Sequence, residues 1–126
     1  MSLPHILLVD DDVDTNLVIA HWIKKEHLAS TLGVALNGEE ALIYLKNNPI
    51  PDVILLDINM PRMNGWEFLE EYKKLPNSIQ SSSTIIIVTV SENPDDKKKT
   101  LDYDIRFVNK PLTAALLKDL LQKESE

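Results

Sequence analysis

The feature that most constrains this chain is a series of short apolar runs, rich in β-branched residues and separated by segments of helical periodicity. The runs are Ile6–Val9, Val53–Leu56, Ile85–Val90 and the shorter Phe107–Val108. They are too short for buried helices and read as strands buried on both faces. A weaker strand is expected within Ser30–Leu36, where Leu32, Val34 and Leu36 alternate with Gly33 and Ala35. Between the strands, Leu17, Ala20 and Ile23 fall at helical spacing after Asp14. Ala41, Leu42 and Leu45 do the same after Asn37, a capping residue with Glu40 three positions on. Trp66, Leu69 and Tyr72 mark a third helix after Asn64-Gly65. Leu116, Leu117, Leu120 and Leu121 mark a last one capped by Thr113. Asn93-Pro94-Asp95-Asp96 is a strong helix start, but only Leu101 and Tyr103 follow as apolar anchors, so this helix has little to bury. Asn77–Thr84, polar with three consecutive serines, reads as a loop.

Five strand–helix alternations imply an α/β fold, a doubly wound five-stranded parallel sheet with helices on both faces. Right-handed crossovers narrow the topology, and strand order 2-1-3-4-5 is expected. A length of 126 residues suits one domain, 1–126. A formal net charge of -7 argues against nucleic acid or an anionic membrane surface as partner. There is no cysteine, hence no disulfide framework and no thiolate metal site. No apolar run approaches a spanning helix, and Met1-Ser2-Leu3-Pro4-His5 lacks the basic region of a signal peptide, so a cytoplasmic location is expected.

In an open parallel sheet, ligands bind beyond the carboxyl ends of the strands. The first strand ends in Asp10-Asp11-Asp12, the third in Asp57, and the fourth in Thr89, followed by Val90 and Ser91. The fifth leads to Lys110-Pro111. Asp10, Asp11 and Asp57 on neighbouring strands repel unless a cation intervenes. Hard oxygen ligands without histidine or cysteine favour Mg²⁺ or Mn²⁺ over zinc. Asp12 and Asp14 read as acids at a helix N-terminus. A carboxylate can attack phosphorus and form an acyl phosphate. Mg²⁺, Lys110 and the Thr89 hydroxyl would then each neutralise one phosphoryl oxygen.

Over essentially its whole length the sequence resembles the response-regulator receiver family of two-component signalling. The matching segments are Ile6-Leu7-Leu8-Val9-Asp10-Asp11-Asp12, Asn37-Gly38-Glu39-Glu40-Ala41-Leu42, Pro51-Asp52-Val53-Ile54-Leu55-Leu56-Asp57, Met60-Pro61-Arg62-Met63-Asn64-Gly65, Ile87-Val88-Thr89 and Lys110-Pro111. The resemblance implies a flavodoxin-like receiver fold. It implies phosphorylation of Asp57 by a histidine kinase or a histidine phosphotransfer protein, and Mg²⁺ held by Asp10, Asp11, Asp57 and the backbone carbonyl of Asn59. It also implies a cis Lys110-Pro111 bond. Met60-Pro61 and Asn64-Gly65 look like the turn after the phosphorylation site, with the glycine supplying backbone freedom. The implied switch draws Thr89 inward, lets Phe107 fill the space, and alters the surface of the fourth helix, fifth strand and fifth helix. The chain reaches Glu126 soon after that helix, so no effector domain is expected; output is expected by contact with another protein, either a target of the altered face or a phosphotransfer histidine that takes the phosphoryl group, from a monomer or weak dimer.

The sequence departs from the family pattern in three places. Val90 stands where a small residue is usual and should crowd the path to the phosphoryl group. Tyr103-Asp104 stand where Gly-Ala is common, and Phe107 lacks the hydroxyl of the frequent tyrosine. Three rival functions fit the pattern less well. A flavodoxin would need a Ser/Thr/Gly-rich phosphate loop where three aspartates stand. A receiver that only docks partners is opposed by the complete set Asp10, Asp11, Asp57, Thr89 and Lys110. A haloacid-dehalogenase-like phosphatase has the spacing of Asp10-x-Asp12, but no cap insertion is evident. Lys97-Lys98-Lys99 reads as a solvated helix face. His5, His21 and His27 show no metal-ligand spacing and no acid–base partner.

Overall fold

Each apolar run becomes a strand because it satisfies its backbone polar groups in a ladder while burying its side chains. The computed structural model describes residues 3–90, 93–103 and 105–124. Ser91 and Asp104 lie outside the described residues. The strands are β1 (His5–Val9), β2 (Thr31–Ala35), β3 (Val53–Leu56), β4 (Thr84–Thr89) and β5 (Arg106–Asn109). All pair in parallel, in the order β2-β1-β3-β4-β5, the expected topology. The helices are α1 (Val13–Lys25), α2 (Gly38–Asn47), α3 (Gly65–Tyr72), α4 (Asn77–Gln80), α5 (Pro94–Tyr103) and α6 (Ala114–Glu124). One face of the sheet packs with α2 and α3 around Phe68, Leu56 and Ile87; the other packs with α1 and α6 around Ile6, Ile86 and Leu117. None of these helices is long and apolar enough to cross a membrane, among the described residues.

The structure corrects several expectations. Helix α1 begins before Asp14, because the Asp12 side chain accepts from the backbone N–H groups of Asp14 and Thr15 and so caps it. Its buried residues are Asn16, Ile19 and Ile23, whereas Leu17 is 63% exposed. Apolar residues ring most of this helix, so spacing alone did not single out the buried face. In β2 the expected alternation is present, with the small residues toward the core: Gly33 and Ala35 are buried while Val34 and Leu36 are exposed. The Tyr44 ring of α2 lies over Gly33, where an added Cβ would sit 2.5 Å from it. Strand β5 is only half-buried at Phe107 and Val108, being a sheet edge. Asn77–Gln80, read as loop, forms the single turn α4, and the Gln80 amide donates to the carbonyls of Lys73 and Leu75. Glu40 does not reach back to its cap Asn37, which accepts from the Glu40 N–H at 2.9 Å; it accepts instead from the Leu36 N–H. His5 does have a partner, since its Nε2 lies 2.6 Å from the Tyr44 hydroxyl.

Helix α5 is held as poorly by apolar burial as the sequence suggests, and of its two expected anchors Tyr103 serves and Leu101 does not. Leu101 is 81% exposed and anchors nothing, while Thr100 is buried. The tether is a cluster shared with α3. The Trp66 indole N–H donates to Asp96 at 2.9 Å, and its ring stacks on Tyr103 with centroids 5.8 Å apart. The Tyr103 hydroxyl donates to Glu70, and Lys73 lies over the Tyr103 ring at 4.1 Å. Burial and the Glu70 carboxylate push the Tyr103 phenol up to about 12, so it stays a donor at neutral pH. Lys97, Lys98 and Lys99 are exposed, as expected of a solvated face.

Two stability predictions follow from these contacts. Gly65 does not take a left-handed conformation; Arg62 does, at φ 65°. A Cβ at Gly65 would lie 2.5 Å from the Asp57 carbonyl oxygen and 2.9 Å from the Ile58 Cα, both backbone atoms. Gly65→Ala should therefore destabilise the domain by about 1–3 kcal/mol, read as a lower urea midpoint at unchanged slope. Trp66→Phe keeps a ring on Tyr103 but removes the bond to Asp96. Hydrogen exchange in α5 should quicken while β1 and β3 stay protected; equal acceleration everywhere would refute a local tether.

Candidate phosphoryl and metal site

Strand register builds the site. Val9 pairs with Leu56, so Asp10 and Asp57 are the next residues off two adjacent strands. The Asp57 N–H donates to the Val9 carbonyl at 2.8 Å, which carries the ladder one step further. On the other side Leu56 pairs with Ile87 and Thr89 with Asn109, which brings Thr89 and Lys110 to the same rim. The cis Lys110-Pro111 bond follows, as the resemblance implied.

The side chains converge closely. Asp10 and Asp57 are buried and Thr89 is fully buried. The Thr89 hydroxyl donates to Asp57 Oδ1 at 2.5 Å, and the Ile58 N–H donates to the same oxygen at 2.8 Å. Lys110 Nζ lies 2.5 Å from Asp10 Oδ2 and 3.6 Å from Asp57 Oδ2. Asp10 Oδ1 accepts from the Asp12 N–H at 2.9 Å. Asp11 is exposed, yet Asp10, Asp11 and Asp57 each present a carboxylate oxygen within 4.8 Å of the others. The Asn59 side-chain amide donates to the Val90 carbonyl at 3.2 Å, which places both residues on the rim beside Asp57. Val90 is 61% exposed, so its bulk stands at the mouth of the site, not under it. Phe107 is apart from this group: it is half-buried and packs against the core cluster around Ile87.

The electrostatics fit a divalent cation. Burial pushes the Asp57 carboxyl up and the neighbouring Asp10 charge pushes the same way, against the pull of Thr89, Lys110 and Ile58. Burial pulls the Lys110 ammonium down, but Asp10 and Asp57 together outweigh it and hold it above its usual range. Three carboxylates thus cluster where Lys110 reaches two of them, Asp10 and Asp57. A hard oxygen-seeking cation relieves that imbalance, and these residues can hold one. Asp12 is otherwise engaged. It accepts from the Asp14 and Thr15 N–H groups and from the Thr15 hydroxyl, which lowers its pKa.

Two contributors escaped the sequence reading. The Ile58 donor is a backbone group and leaves no trace in residue type. Asn16, buried on α1, donates its amide to the Asp10 carbonyl at 2.8 Å. Its signal was available: a lone amide at helical spacing with Ile19 and Ile23.

The comparisons agree with this geometry. The response regulator receiver domain profile matches residues 6–122. A two-component response regulator from Cytophaga hutchinsonii superposes with a TM-score of 0.86 at 29% identity, covering 99% of this chain and 98% of that one. The sensor histidine kinase CheAY of Helicobacter pylori is 30% identical over 94% of this chain, which spans 14% of its length. The response regulator Rcp1 of Synechocystis sp. is 32% identical over 72% of this chain, which spans 65% of its length. The family match, the sheet order and the rim of aspartates, hydroxyl and lysine have one explanation: the chain belongs to the response regulator receiver domain family.

Proposed function

We propose that this receiver accepts a phosphoryl group on Asp57 from the phosphohistidine of a histidine kinase or histidine phosphotransfer protein. A divalent cation, Mg²⁺ first and Mn²⁺ in its place, is held by Asp10, Asp11, Asp57 and the backbone carbonyl of Asn59. The observation that carries this reading is the unequal use of the two Asp57 oxygens. Oδ1 accepts from both Thr89 and Ile58, whereas Oδ2 faces, among the described residues, only the more distant Lys110. Oδ2 is the oxygen left to attack. It forms an O–P bond as the N–P bond of the phosphoimidazole breaks, and the imidazole nitrogen departs with the electron pair. A bound cation supplies charge neutralisation at the phosphoryl oxygens. Lys110 moves its charge from the two carboxylates toward a second oxygen. Thr89 gives up Asp57 Oδ1 to reach a third.

That exchange at Thr89 is the local event we infer behind the switch. Phe107 and the lightly anchored α5 are the elements poised to respond, so the surface of α5, β5 and α6 carries the signal to a partner protein. The protein is a switch, not a turnover enzyme, though it assists its own phosphorylation and hydrolysis. On the donor side, α1 exposes Val13, Leu17 and Val18 beside the acidic rim. A groove of about 540 Å³ next to them is lined by Trp22, Val90 and Pro111, among others. Such a surface suits an apolar helix carrying the donor histidine. The kinase and response-regulator names of the relatives support the same assignment. We place the exchange in the cytoplasm, where ATP supplies the donor.

Intact mass after incubation with phosphoramidate and Mg²⁺ tests the reading. One added phosphoryl group is expected, absent without Mg²⁺ and absent in Asp57→Asn. No gain from either phosphoramidate or a phosphorylated histidine phosphotransfer protein would leave a docking module. Val90→Ala should quicken both loading from phosphoramidate and hydrolysis, by roughly fivefold if the crowding costs ~1 kcal/mol at the barrier. Equal rates in the two proteins would remove Val90 as a gate.

A further inference from the structure

The buried face of α1 consists of Asn16, Ile19 and Ile23, and Asn16 is only 5% exposed. Its amide nitrogen donates to the Asp10 carbonyl at 2.8 Å. Its Oδ1 is buried with no hydrogen-bond partner among the described residues. A half-satisfied amide is a poor choice for stability at a position flanked by two isoleucines, since an orphaned buried acceptor loses its hydration without return. Its presence calls for another reason.

The reason lies in how the three rim aspartates are oriented. Asp57 is held by Thr89 and Ile58. Asp10 is held at both oxygens, by Asp12 N–H and by Lys110. The Asp11 carboxylate has no hydrogen-bonding partner among the described residues, so what is fixed about it is the direction of its Cα–Cβ bond, which the backbone sets. The peptide that sets this direction joins Asp10 to Asp11, and its carbonyl is the group Asn16 grips. The turn is closed by the Asn16 N–H, which donates to the Asp12 carbonyl at 3.1 Å.

We propose that Asn16 is a positioning residue for the cation site: by fixing the Asp10–Asp11 peptide plane it aims Asp11 at the ion. This rests on the cation reading given above. Groups that orient ligands from behind typically govern metal affinity by 10–100-fold. The unsatisfied Oδ1 is then the cost of placing a donor where apolar packing would otherwise stand.

The test is Mn²⁺ affinity, read as free Mn²⁺ by electron paramagnetic resonance, with folding followed by near-ultraviolet circular dichroism. Asn16→Leu fills the site and removes both the donor and the orphan. It should keep the native spectrum with little change in unfolding midpoint in the absence of metal, because losing the orphaned Oδ1 offsets losing the bond to the Asp10 carbonyl, yet bind Mn²⁺ about tenfold more weakly. Asn16→Ala, which cannot overpack, should weaken binding equally. In an Asp11→Asn background, Asn16→Leu should cost nothing further, because the group it aims is already lost. Unchanged affinity in both Asn16 variants would overturn the proposal, as would the same tenfold loss in the Asp11→Asn background. Failure of the unaltered protein to bind Mn²⁺ at all would overturn the cation reading and this one with it.

Discussion

The pairing of Val9 with Leu56 is the constraint on which the rest of the site depends. It sets two buried carboxylates side by side at the end of adjacent strands. Such a pair is unfavourable by itself, and the surrounding structure is arranged to offset it. Lys110 arrives from β5 across β4, Thr89 from β4 itself, and backbone N–H groups from the turns that follow Asp10 and Asp57. Parallel strands make this convergence natural, because every strand delivers its C-terminal residue to the same rim. The pleat also matters: a register slip of one residue would turn Asp10 or Asp57 to the opposite face.

Around this rigid centre the molecule is unevenly anchored. Strands β1, β3 and β4 are almost wholly buried, and their ladders hold the aspartates still. Helix α5 is different. It buries Thr100 and otherwise relies on a stack, an indole hydrogen bond and charge contacts with α3. Interactions of that kind are worth little each and depend on orientation. An element so held can change its position at small free-energy cost, while the site that prompts the change stays in place. The response regulator receiver thus combines a fixed charge centre with a loosely held neighbour.

Much of this was legible from residue types. The strands were visible as apolar runs because a parallel sheet buries both of their faces. Asn37 and Thr113 were legible as caps, and each accepts from the backbone N–H three residues on; Asn64, read as a turn residue, does the same for α3. Edges and flanks were harder. In β2 the alternation of Leu32, Val34 and Leu36 with Gly33 and Ala35 did not say which face is covered; Tyr44 of α2 claims the space over Gly33, while Val34 and Leu36 stay exposed. On α1 apolar residues lie nearly all round, and only the neighbouring sheet decides which of them are covered. Gly65 was read as a flexible turn residue, whereas its lack of a Cβ matters for the close approach of Asp57 and Ile58.

The sequence by itself determined the fold class and which residues end each strand, because these follow from periodicity; the strand order was an expectation from crossover handedness that the sheet bears out. Tertiary structure alone decided which carboxylate oxygens are engaged, that Lys110 leans toward Asp10, that Trp66 and Tyr103 tether α5, and that Asn16 grips the Asp10 carbonyl. The physical reason is range. Periodicity and capping are local and recur in any chain with the same pattern. Hydrogen-bond partners and side-chain direction depend on groups far apart in sequence, as between Asp10 and Lys110, and exist only once the sheet has brought them within contact.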